Sequence, residues 1–323
     1  MIPIRDTTPS RNVPVVNTAL IGVNVLVFMY ELTLGPDLER MLYIYGLVPA
    51  RYTVDQLAAY FTFGQQAFSF LSFMFLHGGF LHLLGNMWSL YIFGDNVEDR
   101  LGPLRYLIFY LLCGLTSGLS HLMLNAHSNV PTIGASGAIA GVMGAYFLLF
   151  PNARILTLIP IFIFPWFVEI PAYFFLGLWF MLQFINAAGT HSAVGGVAWW
   201  AHVGGFVFGM IFLKLFLLLP STGMTSRVRK ATARRRTHRL QIVRPTAGQD
   251  DPNLYGTIVI SPYEALVGTR KLVNVPAAGL QRRVLRVDVP PGTADGQVLR
   301  LKGMGKALPD GRRGDLLLKV VVQ

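Results

Sequence analysis

Charge is scarce in most of this chain. Only 13% of its 323 residues are Asp, Glu, Lys or Arg, against about 25% in an average soluble domain. The deficit is uneven. Of the 27 Lys and Arg residues, only Arg5, Arg11, Arg40, Arg51, Arg100, Arg105, Arg154 and Lys214 precede Pro220. The first region therefore reads as a membrane domain by composition and the second as soluble. Cysteine is nearly absent too: Cys113 stands alone in a long apolar run, which excludes an intrachain disulfide and a cysteine-based zinc site. There is no HExxH pattern, so the helical zinc-protease signature is missing, and there is no long-period repeat. The N-terminal MIPIRDTTPSRNVP lacks a short apolar core followed by a small-residue cleavage site, and no removable signal peptide is expected. The net charge of +11 does not call for a nucleic-acid partner. Much of the excess lies just past a membrane segment, where basic residues set topology and meet anionic lipid.

What is present is a series of apolar runs. A crossing needs roughly 20 apolar residues, and six segments qualify, at approximately 15–34, 78–96, 103–124, 135–150, 167–187 and 197–219. The fourth is short, which suits a helix shielded by its neighbours. Between Arg154 and Gln183 the run is too long for one crossing and is interrupted by Pro160, Pro165, Glu169 and Pro171. Its first part reads as interfacial or loop, and only its second part as a span. The arginines flanking the first, second, fourth and sixth spans place both termini in the cytoplasm by the positive-inside bias. The loops over 35–77, 125–134 and 188–196 then lie outside. The expected architecture is an all-α, six-span membrane domain over 1–219, a basic flexible linker over 220–253, and a small β-rich soluble domain over 254–323. In the last, LYGTIVIS, RVLRVDVP, QVLRLKG and DLLLKVVVQ have strand length and are separated by PPG, ADG and PDG turn signals. SPYEALVG reads as a short helix.

The most informative stretch is GASGAIAGVMG, Gly134 to Gly144. As a helix it sets Gly137, Gly141 and Gly144 on one face, with Ser136 beside that face, and such a face admits another helix's backbone at close range. AHVGGFVFG, Ala201 to Gly209, offers the matching surface, with His202, Gly205 and Gly209 at spacings of three and four. The fourth and sixth spans both enter from the outer side, and Ser136 and His202 each lie within about two turns of that entrance. The second span carries His82 and Asn86 four apart on one face near the same end. Acyl transfer needs a nucleophile, a base and donors where negative charge develops. Ser136, His202 and the pair His82 and Asn86 are candidates for those roles. A metal site built on His77, His82 and His202 is the competing reading, and the lack of an acid near them in sequence speaks against it.

FLHGGFLHLLGN, GASG and AHVGG, in this order on the second, fourth and sixth spans, resemble the rhomboid family of intramembrane serine proteases. The resemblance covers roughly residues 15–219. It implies Ser136 as nucleophile and His202 as general base without a third acid, and His82, Asn86 and the Ser136 backbone N–H as the oxyanion site. It implies no cofactor, and as substrates membrane proteins whose transmembrane helix is cut near the outer face. GLVPAR, Gly46 to Arg51, fits members that lack a Trp-Arg pair in the first outer loop. Glu98 matches a position read as structural. Ala140 stands where some members carry an aromatic that stacks on the histidine, which leaves open what orients His202. The segment from Leu254 to Gln323 is similar to the C-terminal, client-binding β-domain of DnaJ-type co-chaperones, which implies a cytoplasmic peptide or client as a partner there, while the chain has neither a J domain nor a cysteine-rich zinc module. The runner-up function is a non-catalytic membrane adaptor that binds transmembrane helices and presents clients to its cytoplasmic domain.

Overall fold

The computed structural model describes residues 1–8, 10, 12–161, 164–189, 197–219, 240–243, 246, 251–276, 282–306 and 313–322. The chain divides into two compact units, Met1–Ala233 and Arg234–Gln323. The first opens with a strand, β1 (Ile2–Asp6), and then the helix α1 (Val15–Glu31). Four short helices follow, α2 (Leu38–Tyr45), α3 (Ala50–Thr53), α4 (Asp55–Ala58) and α5 (Phe63–Ser72), and then α6 (Phe80–Leu101), α7 (Pro103–Leu124) and α8 (Ser136–Leu149). A hairpin of β2 (Arg154–Ile161) and β3 (Phe164–Pro171) leads into α9 (Ala172–Gly189), and α10 (Trp199–Leu218) closes the unit. Each of the six expected spans has its helix. Pro103–Leu124, Ala172–Gly189 and Trp199–Leu218 are individually long and apolar enough to cross a membrane, and Ser136–Leu149 is the short one.

Polar anchoring at helix ends sets this order. The Glu98 carboxylate accepts from the backbone N–H of Val16 at 3.1 Å and of Asn17 at 2.7 Å, which places a negative charge at the positive, hydrogen-bond-starved start of α1. Asn17 in turn donates to the Leu90 carbonyl and accepts from the Tyr106 hydroxyl, so α1, α6 and α7 are tied together at one level. At the other polarity, the buried Arg51 guanidinium donates to the carbonyls of Ile44 at 2.9 Å and Gly46 at 2.8 Å, at the C-terminal end of α2, and lies 4.4 Å from the centre of the Phe61 ring.

The seam between α8 and α10 is a backbone contact. A Cβ built on Gly205 falls onto the Gly137 carbonyl, and one on Gly141 comes within 3.1 Å of the Gly205 carbonyl oxygen and 2.5 Å of Cys113. The glycine spacing read from the sequence therefore describes a real face. The cost of a side chain in this seam is strain, since the interior is filled by Phe93, Tyr106, Phe109, Ala138, Ala140 and Phe206.

One element differs from expectation. The stretch after Arg154, expected as interfacial or loop, is a β-hairpin that joins β1 in a three-stranded antiparallel sheet of order β1-β2-β3. Ile155 and Thr157 alternate inward and are fully buried, the period of a half-covered strand. The prolines are tolerated because Pro160 and Pro165 oppose each other beyond the four β2 residues, Ile155–Leu158, that β1 reaches. The Trp88 indole N–H donates to the Pro3 carbonyl at 2.6 Å, and Tyr146 and Asn96 donate to the Asp6 carboxylate, so the sheet is fastened to α6 and α8.

The second unit holds two three-stranded sheets. One orders β4 (Leu240–Ile242), β6 (Thr269–Pro276) and β7 (Arg282–Val289); the other orders β5 (Leu254–Ile260), β9 (Leu316–Val322) and β8 (Val298–Leu301), with α11 (Pro262–Val267) between β5 and β6. Ile258, Ile260, Val273, Val287, Leu316, Leu318 and Val320 form its core. Ser261 and Glu264 form a capping box on α11, and Glu264 also pairs with the buried Lys271. The segment expected as a linker, 220–253, lies outside the described residues over 220–239, and its later part contains β4, parallel to β6.

Gly205→Ala should lower unfolding stability by about 1–3 kcal/mol, because its methyl group has no space against α8. Gly22→Ala, where nothing stands within 4 Å, should leave the melting temperature unchanged or higher. Thermal unfolding of both variants in detergent checks the pair, and equal behaviour would contradict the seam.

Candidate active site

Three helices begin at one place. Ser136 is the first residue of α8, His202 the fourth of α10 and His82 the third of α6, and all three line a single cavity of about 730 Å³ together with Asn86, Gly134, Trp179, Gln183 and Trp199. The first-turn N–H groups of a helix lack intrahelical partners and carry the positive end of its dipole. A cavity ringed by such ends favours negative charge that develops inside it.

Ser136 is presented by a constrained loop. The Thr132 and Leu47 backbones bond to each other, and Gly134 N–H donates to the Phe73 carbonyl at 2.8 Å. Gly134 then turns at φ +122°, and a Cβ there would stand 2.8 Å from Cε1 and Nε2 of His82. Only glycine satisfies both the dihedral and the approach. The chain thereby enters α8 with the Ser136 side chain half-buried at the cavity wall.

His202 is buried, with its ring in contact with two polar groups. Nε2 lies 2.7 Å from Ser136 Oγ, and Nδ1 lies 2.8 Å from Gln183 Oε1 on α9. The Trp179 ring sits 5.9 Å away at a shallow tilt and the Trp199 ring 6.2 Å away edge-on. The predicted meeting of Ser136 and His202 thus occurs at hydrogen-bond distance. Gln183 was not anticipated. Its signal in the sequence was an amide in the apolar fifth span, which also holds Asn186, and polar groups at such depth are costly enough to call for a partner.

Asn86 is buried, and its Nδ2 has no hydrogen-bond partner. A buried amide donor without a protein acceptor is uncommon and marks a place where a ligand oxygen would be favoured. His82 accepts weakly from Gly78 N–H at 3.4 Å and stands T-shaped to His77 at 5.2 Å. His77 is not among the residues that line this cavity; its Nδ1 lies 3.3 Å from the Phe75 carbonyl and its backbone N–H donates to the Glu31 carboxylate. Among the described residues no group of three or more His, Cys, Asp and Glu is arranged to hold a metal ion. His121 also lines this cavity, while His191 lies outside the described residues. Glu98 serves α1 and is not among the residues of this cavity.

Residues 64–219 match the family described as Rhomboid domain. The chain carries a rhomboid domain. Residues 240–323 match the DnaJ C terminal domain. Among relatives, the chain is 31% identical over 202 residues to Rhomboid protein 1, mitochondrial, of Saccharomyces cerevisiae, covering 60% of this chain and 51% of that protein. It is 30% identical over 164 residues to RHOMBOID-like protein 6, mitochondrial, of Arabidopsis thaliana, covering 50% and 47%. With Rhomboid protease GluP of Bacillus subtilis it shares 30% identity over 148 residues, covering 46% and 25%. The chain spans about half the length of the first two relatives and less of the third. The rhomboid domain and its apolar helices make this an integral membrane protein.

Gly134→Ala should be strongly destabilising in this rhomboid domain's cavity. It adds positive-φ strain of about 1–3 kcal/mol to a collision with the His82 ring. A lowered melting temperature, with altered shifts of the His82 ring in NMR spectra, is the expected outcome; an unchanged melting temperature and unchanged shifts would refute the packing.

Proposed function

We propose that the protein is an intramembrane serine endopeptidase that cuts transmembrane helices of membrane-protein substrates near the outer face of the bilayer. The observation that carries this reading is the 2.7 Å approach of Ser136 Oγ to His202 Nε2 at the wall of the cavity. In the proposed reaction His202 Nε2 takes the hydroxyl proton as Ser136 Oγ attacks the scissile carbonyl carbon. The oxyanion is met by Asn86, His82 and the Ser136 backbone N–H. The C–N bond then breaks as His202 returns its proton to the leaving amine. Water, deprotonated by the same ring, attacks the acyl-serine and frees the enzyme. Cofactors take no part. Unpartnered Asn86 Nδ2 and the helix N-termini around it support the oxyanion assignment.

On the same reading the protein sits in a bacterial plasma membrane with both termini cytoplasmic, following the arginine pattern. The DnaJ-like domain does no chemistry there. It binds peptide segments or clients on the cytoplasmic side, and so cannot touch a bond cut on the far side of a hydrocarbon core of about 30 Å. By holding a substrate's cytoplasmic tail it raises the local concentration of that substrate at the membrane domain.

The test is direct. Ser136→Ala and His202→Ala should each abolish cleavage of a co-reconstituted single-span protein and labelling by a fluorophosphonate probe, with the variants still folded, and chelators should have no effect. Activity lost to a chelator and restored by zinc would defeat the mechanism, and a folded wild type that neither cleaves nor labels would leave the adaptor reading in its place. Asn86→Ala should lower kcat by about 10²–10³-fold with little change in KM; a raised KM at constant kcat would reassign Asn86 to ground-state binding. A chain ending near Arg229 should keep its turnover on a minimal transmembrane substrate and show a raised KM only for substrates with cytoplasmic tails.

A further inference from the structure

The second ring nitrogen of His202 has a partner that the chemistry of a serine–histidine pair does not by itself supply. Gln183 and His202 are both buried, at 7% and 8% exposure, and their contact at 2.8 Å runs from Nδ1 to the side-chain oxygen Oε1. A buried ring nitrogen is usually paired. In a neutral imidazole one nitrogen donates and the other accepts, so the identity of the atom facing Nδ1 decides which way the ring is protonated. An oxygen at Nδ1 requires the proton there and leaves the lone pair of Nε2 toward Ser136 Oγ. The opposite tautomer would set a lone pair of Nδ1 against a lone pair of Oε1, and an N–H against the hydroxyl oxygen whose proton must be removed. Trp179, four residues before Gln183 on α9 and therefore on the same face, lies along the ring at 5.9 Å. One helix thus contributes both a hydrogen bond and an aromatic wall to the same imidazole. Ala140, one turn into α8, offers no polar atom.

We propose that Gln183 is the positioning residue of the Ser136–His202 pair: its amide oxygen fixes His202 as the Nδ1-protonated tautomer and holds the ring plane in line with Ser136. This rests on the serine endopeptidase reading above. The amide does so without adding charge, unlike a carboxylate, which in this apolar setting would itself need a partner. General acid–base catalysis contributes about 10²–10⁴-fold to rate, and a ring that spends most of its time in the wrong tautomer or plane loses a share of that. Gln183→Leu, which keeps the approximate volume and removes the acceptor, should lower kcat about 10–100-fold at unchanged KM, with a parallel slowing of fluorophosphonate labelling of Ser136. Gln183→Glu, which keeps an acceptor oxygen but brings the burial cost of a carboxylate, should lose less activity than Gln183→Leu.

The deciding measurement is ¹⁵N NMR of the full-length wild type, labelled at histidine and held in nanodiscs, with the His202 signals assigned by their loss in His202→Gln. The expected spectrum has His202 Nδ1 protonated and Nε2 unprotonated, and this preference weakens in Gln183→Leu. A wild-type His202 protonated on Nε2 overturns the proposal, whether or not the leucine variant folds. So does a folded Gln183→Leu that labels and turns over at the wild-type rate. A wild type with no labelling or cleavage would instead refute the protease reading, and the tautomer would still be read from the same spectrum.

Discussion

Two helices that touch through their main chains set the geometry on which the rest of the membrane unit depends. In a bilayer apolar side chains gain nothing by leaving lipid for one another, so helices associate where small residues permit close van der Waals contact. Gly137, Gly141, Gly205 and Gly209 provide that contact between α8 and α10. Ser136 sits at the start of one of these helices and His202 in the first turn of the other. A hydrogen bond of 2.7 Å between them leaves room for tenths of an ångström only. Were Gly205 or Gly209 to carry a side chain, it would meet the α8 backbone at under 3 Å and press the two helices apart. The short α8 is tolerated for the same reason: with α6, α7 and α10 packed around it, it need not match the bilayer thickness by itself.

Polar groups in this unit follow one electrostatic rule. Glu98 sits at the N-terminus of α1 and Arg51 at the C-terminal carbonyls of α2, each charge at the helix end whose dipole it complements. Asn17, Tyr106, Asp6 and Tyr146 are paired in the same way among themselves. Asn86, like Arg51 at Nε and Tyr110 at its hydroxyl, keeps a buried polar atom without a hydrogen-bond partner, and in Asn86 that atom is the amide donor. It does so beside three helix starts, in the cavity where Ser136 and His202 meet, where an anion would be well received.

Much of this was legible in the residues. Glycine spacing foretold the α8–α10 seam, and the matched depth of Ser136 and His202 foretold their meeting, because both follow from helical period and span order alone. Asn86 and His82 followed from a spacing of four. Gln183 did not, because nothing local to it distinguishes an amide that caps a histidine from one that bonds its own helix; only the packing of α9 on α10 decides. The hairpin of β2 and β3 was missed for a related reason. Its prolines argue against a strand, and its covering partner, β1, lies about 150 residues earlier. In the second unit, β5, β7, β8 and β9 carry alternation or turn signals, whereas β4 is a three-residue piece whose strand character comes from pairing with β6.

That distance between β1 and its partner bears on how the protein is made. Ile2–Asp6 can pair with Ile155–Leu158 only after α1, α6, α7 and α8 have been synthesised, so the strand waits unpaired while these helices are made. Contacts of such long sequence separation form late and carry the entropy of the large loop they close. The β1 strand is then a clasp applied after insertion, with Trp88, Tyr146 and Asn96 as its receiving points. Without Ile2–Asp6, β2 would keep β3 on one side and face no strand on the other.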